Sequence, residues 1–195
     1  MLKRAFDLFC TTLGLIATSP FFLLAAIAVK LGSKGPVFFH QLRSGRNGDL
    51  FDILKFRTMR DEPGKRITVG RDPRITGAGY WLRRSKLDEL PQLINVWKGE
   101  MSLVGPRPED PHYVALYSEE QKRVLTLRPG ITDLASIKYR HESELLARSD
   151  DPERTYIEEI MPDKLQLNLE YLEKQSFWYD IGLILRTLAR LFSSS

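Results

Sequence analysis

The pattern of apolar and polar residues separates an apolar N-terminal segment from a more polar remainder. Residues 5–31 are mostly apolar, and a helix of that length, at about 1.5 Å per residue, would cross a bilayer core of about 30 Å. Ser19 and Pro20 lie at its middle, where proline removes a backbone hydrogen bond and kinks or breaks a helix. Basic residues flank both ends, which favours placing both ends in the cytoplasm. We predict a re-entrant helix–break–helix in residues 1–33; a true crossing and a cleaved signal peptide are the alternatives.

Alternating apolar and polar residues next predict a β-hairpin. A short strand follows the turn at residues 35–36, a second covers residues 50–59, and Asn47-Gly48 between them is typical of a hairpin turn. Lys55 and Arg57 would share one face of the second strand, which we interpret as solvated rather than as a phosphate site. Residues 60–79 are polar and rich in proline, glycine and charge, and this composition indicates a loop or lid over a site.

A helical pattern then begins beside two adjacent acids, Asp88 and Glu89. Apolar residues recur at helical spacing over residues 87–97, Gly99 can end the helix, and Pro91 fits best if the helix starts near Asp88. The acids would then lie at the positive end of the helix dipole, which stabilises carboxylates and can hold a phosphate. Neighbouring helical side chains point about 100° apart, so the acids are expected to have separate roles, one attacking and the other holding a metal. Most adjacent acid pairs at helix starts are merely structural.

Cations surround this acid pair. Arg83 and Lys86 precede it, where they would lower the pKa of the carboxyls and attract phosphates, or be plain surface charge. Arg107 lies between two prolines, which limit the conformations of its backbone. A guanidinium held in this way is a good bidentate ligand for phosphate.

The C-terminal part of the chain is predicted to be helical. Residues 153–174 form one helix interrupted at Met161-Pro162, and residues 177–192 form an amphipathic helix. Trp178 and Tyr179 suit a membrane interface, with packing of this helix on the core as the alternative. These patterns predict a mainly helical α/β fold with a short β-hairpin or small sheet, in which residues 34–195 form a cytoplasmic domain with interfacial amphipathic helices.

Composition and charge narrow the classes of protein. With 195 residues, 43% of them hydrophobic, the chain can form one ordinary domain with a core. The net charge of +4 suits lipid head groups, a phosphorylated substrate or nucleic acid, but the basic residues form no recognisable nucleic-acid-binding module. Cys10 is the single cysteine, which excludes an internal disulfide and fits a reducing compartment.

Three stretches of this sequence resemble one known family. The acid pair opening a helix, NVWKGEMSLVGPRPE at residues 95–109 and LRPGIT at residues 127–132 are similar to the bacterial sugar transferases, the monotopic phosphoglycosyl transferases. The basic start broken at Ser19-Pro20 and QLRSGRNGDLFDILKFRTM at residues 41–59 extend the resemblance over nearly the whole chain. Many relatives have glycine where this chain has Asp133, so the following loop is expected to differ in sugar preference.

The resemblance implies a reaction. Asp88 would attack the β-phosphate of a UDP-sugar and release UMP, and the covalent phosphosugar would pass to polyprenol (undecaprenyl) phosphate, the first step of a surface glycan or glycoprotein pathway. A Mg²⁺ cofactor would neutralise the diphosphate, with Glu89 as its ligand. Arg107 and Arg140 match family arginines that contact phosphate. Reversed roles of Asp88 and Glu89 remain open.

The same resemblance implies a location at the cytoplasmic (inner) membrane, on its anionic surface, with residues 34–195 as the catalytic domain on the cytoplasmic side. Three other interpretations are a membrane-anchored interaction module, which would not require the acid pair, a nucleic-acid binder, and a polytopic phosphoglycosyl transferase. Net charge alone suggests the second, and the third needs several spanning segments. The sequence leaves open which sugar is transferred and whether the chain forms a homodimer.

Overall fold

The chain folds into many helices around two small two-stranded sheets. The computed structural model describes residues 2–60 and 72–192, with side chains as far as residue 190. The α-helices and β-strands of these residues are α1 Leu2–Gly32, β1 Phe38–Ser44, β2 Leu50–Phe56, α2 Gly77–Arg84, α3 Gln92–Lys98, β3 Ser102–Val104, α4 Pro111–Val114, β4 Gly130–Thr132, α5 Leu134–Lys138, α6 Glu142–Leu146, α7 Pro152–Thr155, α8 Met161–Lys174 and α9 Phe177–Phe192. The predicted mainly helical fold with small sheets is confirmed. Most of the predicted lid, residues 61–71, lies outside the described residues.

Helix α1 is continuous through Ser19 and Pro20, so the predicted break between two helices is not seen. Proline cannot donate the backbone hydrogen bond that would normally reach the carbonyl four residues earlier. That carbonyl belongs to Ile16, and the Ser19 hydroxyl donates to it at 2.8 Å. The Ser19 side chain thus replaces the bond that Pro20 removes, which explains why the helical conformation persists.

Both halves of α1 lie against the rest of the protein. Near its start, Arg4 donates to the carbonyl oxygens of Val96 and Trp97 at the end of α3, at 2.6 and 2.9 Å. Near its end, Ala25 and Val29 are buried in a cluster with side chains from β2 and α2. The opposite face is apolar and exposed, and α1 is long and apolar enough to cross a membrane. The helix therefore runs along the domain instead of projecting from it.

The predicted hairpin is confirmed. Strands β1 and β2 pair in antiparallel register from Phe38 opposite Phe56 to Ser44 opposite Leu50. The turn between them needs positive φ at two residues, and Asn47 (57°) and Gly48 (83°) supply it. The second strand ends at Phe56, three residues earlier than predicted.

The C-terminal helices differ little from their prediction. Residues 152–174 are helical throughout, so the predicted interruption at Met161-Pro162 is not seen; these two residues begin α8, directly after a π-helical turn, Tyr156–Ile160. Helix α9 has the predicted bounds. Its inner face packs on the core through Leu183, whereas Trp178 and Leu185 on its outer face are exposed. Packing on the core and an exposed apolar face therefore coexist in α9.

Candidate active site

The acid pair lies in a 3-10 turn, Leu87–Glu89, that precedes α3. The prediction that Asp88 begins the α-helix is wrong in this detail, because Pro91 occupies the position before the first residue of α3 and has no backbone N–H to donate. Lys86 enters the turn with φ 59°, in the left-handed region.

Asp88 is buried. Its residue is 8% exposed, and Oδ1 has no hydrogen-bond partner among the described residues. Burial and the charge of Glu89 raise the pKa of Asp88 to about 6, against the lowering effects of Lys55, Arg83 and Lys86. At neutral pH Asp88 is therefore mostly a carboxylate, and its buried Oδ1 accepts no hydrogen bond from the described residues.

Glu89 has the opposite electrostatic character. Burial alone would raise its pKa, but the Arg107 guanidinium, with which it forms an ion pair, and the Lys55 ammonium lower the pKa to about 2. The pairing also raises the pKa of Arg107. Glu89 therefore remains ionised and holds the arginine, whereas Asp88 forms no ion pair with any cation that the structure describes.

Arg107 lies in a turn where two sequence motifs, GPRP at residues 105–108 and RPGIT at residues 128–132, contact each other. Strands β3 and β4 pair in parallel, Ser102 opposite Gly130, and the Gly130 amide donates to the Pro106 carbonyl at 2.9 Å. Glycine is required because a Cβ on Gly130 would lie 2.1 Å from the Gly105 nitrogen. This contact between the GPRP and RPGIT motifs fixes the backbone beside Arg107.

Asp133 completes the support of that turn. Its Oδ2 accepts from the Arg107 backbone N–H at 3.2 Å, and its Oδ1 accepts from the Ser136 N–H at 2.6 Å, which caps α5. The Asp133 residue is fully buried. Its side chain therefore holds the backbone at Arg107 and Ser136. The difference in sugar preference that we expect from an aspartate in place of glycine stays a prediction.

Lys55 is the residue at this site that sequence reasoning missed. Burial lowers its pKa to about 8, opposed by the charge of Glu89 and assisted by Arg107 and Arg43. The interpretation of this face as solvated is wrong for Arg57, which is 8% exposed and donates to the Ser33 and Lys34 carbonyls just after α1, whereas Lys55 is half-buried. The sequence signal that could have identified Lys55 is its position as a cation within the apolar segment Ile53–Phe56.

Of the remaining predicted site residues, Arg83 and Lys86 influence the acid pair, whereas Arg140 contacts α9. Arg83 and Lys86 lie close enough to lower the pKa of Asp88, and the Arg83 Nη1 is 3.4 Å from the Met59 sulfur. Arg140 instead donates to the Arg190 carbonyl in α9. No contact joins Arg140 to the acid pair in the described part of the chain, so its role toward phosphate stays a prediction.

The acid pair fits a magnesium ion only together with a substrate. Residues 2–60 and 72–192 contain no group of three or more His, Cys, Asp or Glu side chains placed to hold a metal. Magnesium, however, is commonly held by one or two carboxylates plus substrate phosphates and water. The ionised Glu89 and the unpartnered Oδ1 of Asp88 match that donor set.

Sequence comparisons match this chain to one protein family. The family model for bacterial sugar transferases matches residues 1–194. An undecaprenyl-phosphate glucose phosphotransferase of Komagataeibacter xylinus is 42% identical over 198 residues, covering 96% of this chain and 35% of that protein. A UDP-glucose:undecaprenyl-phosphate glucose-1-phosphate transferase of Escherichia coli is 39% identical over 203 residues, covering 98% of this chain and 40% of that protein.

The extent of these matches differs between relatives. This chain spans well under half the length of the Komagataeibacter and Escherichia proteins. An uncharacterized sugar transferase of Bacillus subtilis is 36% identical over 195 residues, covering 100% of this chain and 89% of that protein. The family model and all three relatives cover nearly all of this chain, so it belongs to the bacterial sugar transferase family.

Proposed function

We propose that this chain is a membrane-associated phosphoglycosyl transferase that moves a sugar phosphate from a UDP-sugar to undecaprenyl phosphate. The observation that carries the proposal is the adjacent acid pair with opposite pKa shifts, beside Arg107 and Lys55. The name of the Escherichia coli relative supports UDP-glucose as the first donor to test. The product, undecaprenyl-diphosphate-sugar, would begin the assembly of a surface glycan.

In the first half-reaction, a carboxylate oxygen of Asp88 attacks the β-phosphorus of the UDP-sugar. A bond forms between that oxygen and phosphorus, the bond from phosphorus to the bridging oxygen breaks, and UMP leaves with the bonding electrons. Asp88 is the better candidate nucleophile because its Oδ1 has no hydrogen-bond partner among the described residues, whereas Glu89 is paired with Arg107. Its raised pKa also makes the carboxylate more nucleophilic than an ordinary aspartate.

In the second half-reaction, a phosphate oxygen of undecaprenyl phosphate attacks the same phosphorus. The aspartyl–phosphorus bond breaks, Asp88 regains its carboxylate, and the lipid carries the sugar diphosphate away. Arg107 and Lys55 supply positive charge to the phosphate oxygens in both steps, and Glu89 keeps Arg107 in place. Bound Mg²⁺ would add charge neutralisation at the diphosphate, with Glu89 and substrate oxygens as ligands.

The lipid acceptor requires this site to lie at the depth of the head groups. Because α1 lies against the domain along both halves, its exposed face can enter one leaflet while the domain stays at the surface. The three tryptophans of the chain are all exposed, Trp81 at 67%, Trp97 at 56% and Trp178 at 77%, on elements that flank α1. Tryptophan is enriched at membrane interfaces, which supports a re-entrant, monotopic placement with the domain in the cytoplasm.

The test is UMP release by the detergent-solubilised protein, supplied with magnesium, undecaprenyl phosphate and a panel of UDP-sugars that includes UDP-glucose. The function predicts release that is lost in Asp88→Asn. Intact mass measured without the lipid should show one added sugar phosphate in the wild type and in Glu89→Gln, but none in Asp88→Asn. An adduct in Asp88→Asn that is lost in Glu89→Gln would reverse the two roles. Full biological function of Asp88→Asn would instead favour a non-catalytic, membrane-anchored interaction module.

A further inference from the structure

Strand β3 connects the membrane helix to the catalytic turn. It ends at Val104, three residues before Arg107. On one side it pairs with β4. On the other side it contacts two side chains of α1: its Val104 carbonyl accepts from Lys3, and its Ser102 hydroxyl donates to Asp7. These are polar contacts between an otherwise apolar helix and the strand that leads into the site.

The contacts of Asp7 are made inside the protein. The residue is 2% exposed, its Oδ2 accepts from the Ser102 hydroxyl at 2.8 Å, and its Oδ1 accepts from the Leu103 amide at 3.3 Å. A buried carboxylate in an apolar membrane helix is costly unless it is satisfied. Both oxygens of Asp7 are satisfied by β3, so this residue sets where the strand lies on the helix.

Lys3 lies one helical turn before Asp7, on the same face of α1. Its ammonium donates to the Val104 carbonyl at 2.9 Å, to the Tyr171 hydroxyl at 3.3 Å, and forms an ion pair with Asp180 of α9. The Tyr171 hydroxyl also donates to Asp180 at 2.6 Å. Lys3 therefore joins α1, β3, α8 and α9 at the last residue of the strand.

The segment from Val104 to Arg107 is restrained along its length. Pro106 within it and Pro108 after it restrict its backbone, Gly105 contacts Gly130, and the Arg107 amide donates to Asp133. We propose that Lys3 and Asp7 are positioning residues that act through β3 to place Arg107 against Glu89. The seating of the membrane helix on the domain then determines whether the proposed transferase site is assembled, a step that rests on the function proposed above.

Arg4 offers a matched control on the same turn of α1. Like Lys3, it is a cation that donates to backbone carbonyls, but its acceptors, Val96 and Trp97, lie in α3 and not in β3. Lys3→Gln and Arg4→Gln each remove one positive charge from the start of the helix. Any effect of charge on membrane insertion is therefore common to the two variants.

The first measurement is hydrogen–deuterium exchange of the full chain in detergent, followed on peptides that cover residues 100–110. Lys3→Gln and Asp7→Leu should exchange at least threefold faster there than the wild type, whereas Arg4→Gln and the conservative Asp7→Asn should not. Unchanged exchange in both Lys3→Gln and Asp7→Leu would overturn the inference whether or not the protein is active. Absence of UMP release from the folded wild type would overturn only the proposed function.

The second measurement is a double-mutant cycle on UMP release. Asp7→Leu should lower kcat at least tenfold in the wild type but less than threefold in an Arg107→Ala background, because the residue it positions is then absent. Asp7→Asn should restore most of the rate. An equal loss in both backgrounds, or a loss that follows the unfolded fraction, would mean that Asp7 only stabilises the fold and would overturn the inference.

Discussion

Two neighbouring carboxyls at this site acquire opposite properties from their partners. Both are largely buried, which disfavours ionisation of each. Glu89 has Arg107 beside it and its pKa is lowered to about 2, whereas Asp88 forms no ion pair in residues 2–60 and 72–192 and its pKa is raised to about 6. At the scale of the residue, the division of roles follows from one ion pair.

The unpaired carboxylate should cost the protein stability. The pKa of Asp88 rises from 3.8 to about 6 on folding, so the folded state loses stability as the pH rises from about 4 to above 6. Asp88→Asn should therefore raise the free energy of unfolding at pH 7.5 by about 2 kcal/mol while abolishing UMP release. Denaturant unfolding at pH 7.5 and pH 4 measures this, and the gain should disappear at the lower pH. An equally large gain at pH 4 would contradict the electrostatic cause.

Glu89→Gln should lower the free energy of unfolding at neutral pH, the opposite of the change expected for Asp88→Asn. The pKa of Glu89 falls from 4.5 to about 2 on folding, so its contribution to stability is present above pH 4.5 and is lost as the pH falls toward 2. Its removal at neutral pH also leaves the Arg107 charge buried without a partner, and we expect a loss of about 2–3 kcal/mol. The same unfolding experiment checks it; a stabilised Glu89→Gln would contradict the ion pair.

The pH dependence of activity tests the role of Lys55. If Asp88 must be ionised to attack, kcat/KM for UMP release should fall below about pH 6. Lys55 lowers the pKa of Asp88, so Lys55→Met should move this acid limb to higher pH. Lys86 is more exposed than Lys55 and lowers the pKa of Asp88 less, so Lys86→Met should move the acid limb less. An acid limb at the same pH in Lys55→Met and in the wild type would contradict the placement of Lys55 at the site.

At the scale of the element, the parallel pairing of β3 and β4 assembles the site from distant segments. Gly130→Ala should separate the strands, because the added Cβ would lie 2.1 Å from the Gly105 nitrogen and 2.4 Å from its carbonyl oxygen. We expect a loss of at least 2 kcal/mol and of most activity. Gly182→Ala in α9 is the control, since no atom lies within 4 Å of its added Cβ. Equal thermal stability of the two variants would contradict the close contact.

The sequence predicts local elements better than their contacts. The hairpin follows from Asn47-Gly48 and the bounds of α9 from its apolar spacing, because turn chemistry and periodicity are local. The β3–β4 pair was not predicted, since each strand has three residues and its partner is 28 residues away in sequence. Lys55 was missed for the same reason: its partner Glu89 belongs to another element. Pro20 was expected to break α1, but Ser19 supplies the missing bond.

At the scale of the whole molecule, exposed apolar side chains lie on α1 and exposed tryptophans on the helices that contact it. The exposed side of α1 carries large apolar residues along its length, including Phe9, Phe21 and Leu31. Trp178 follows Phe177, whose ring contacts Phe6 at 5.2 Å near the start of α1, and Trp81 lies on α2, which contacts Gly32 at its end. Since both ends of α1 contact the same domain, a crossing would require one end to detach.

The orientation of α1 can therefore be decided by labelling its two ends. In a Cys10→Ser background, Leu2→Cys and Lys34→Cys place single thiols at exposed positions before and after the apolar segment. If α1 enters and leaves the membrane on one side, neither thiol should react with an impermeant maleimide in intact spheroplasts, and both should react after permeabilisation. A crossing helix would expose one of them before permeabilisation, and it would also break either the Arg4 contacts with α3 or the Ala25 and Val29 cluster. Labelling of Leu2→Cys in intact spheroplasts would thus overturn the monotopic placement, and with it the position of the site on the cytoplasmic surface.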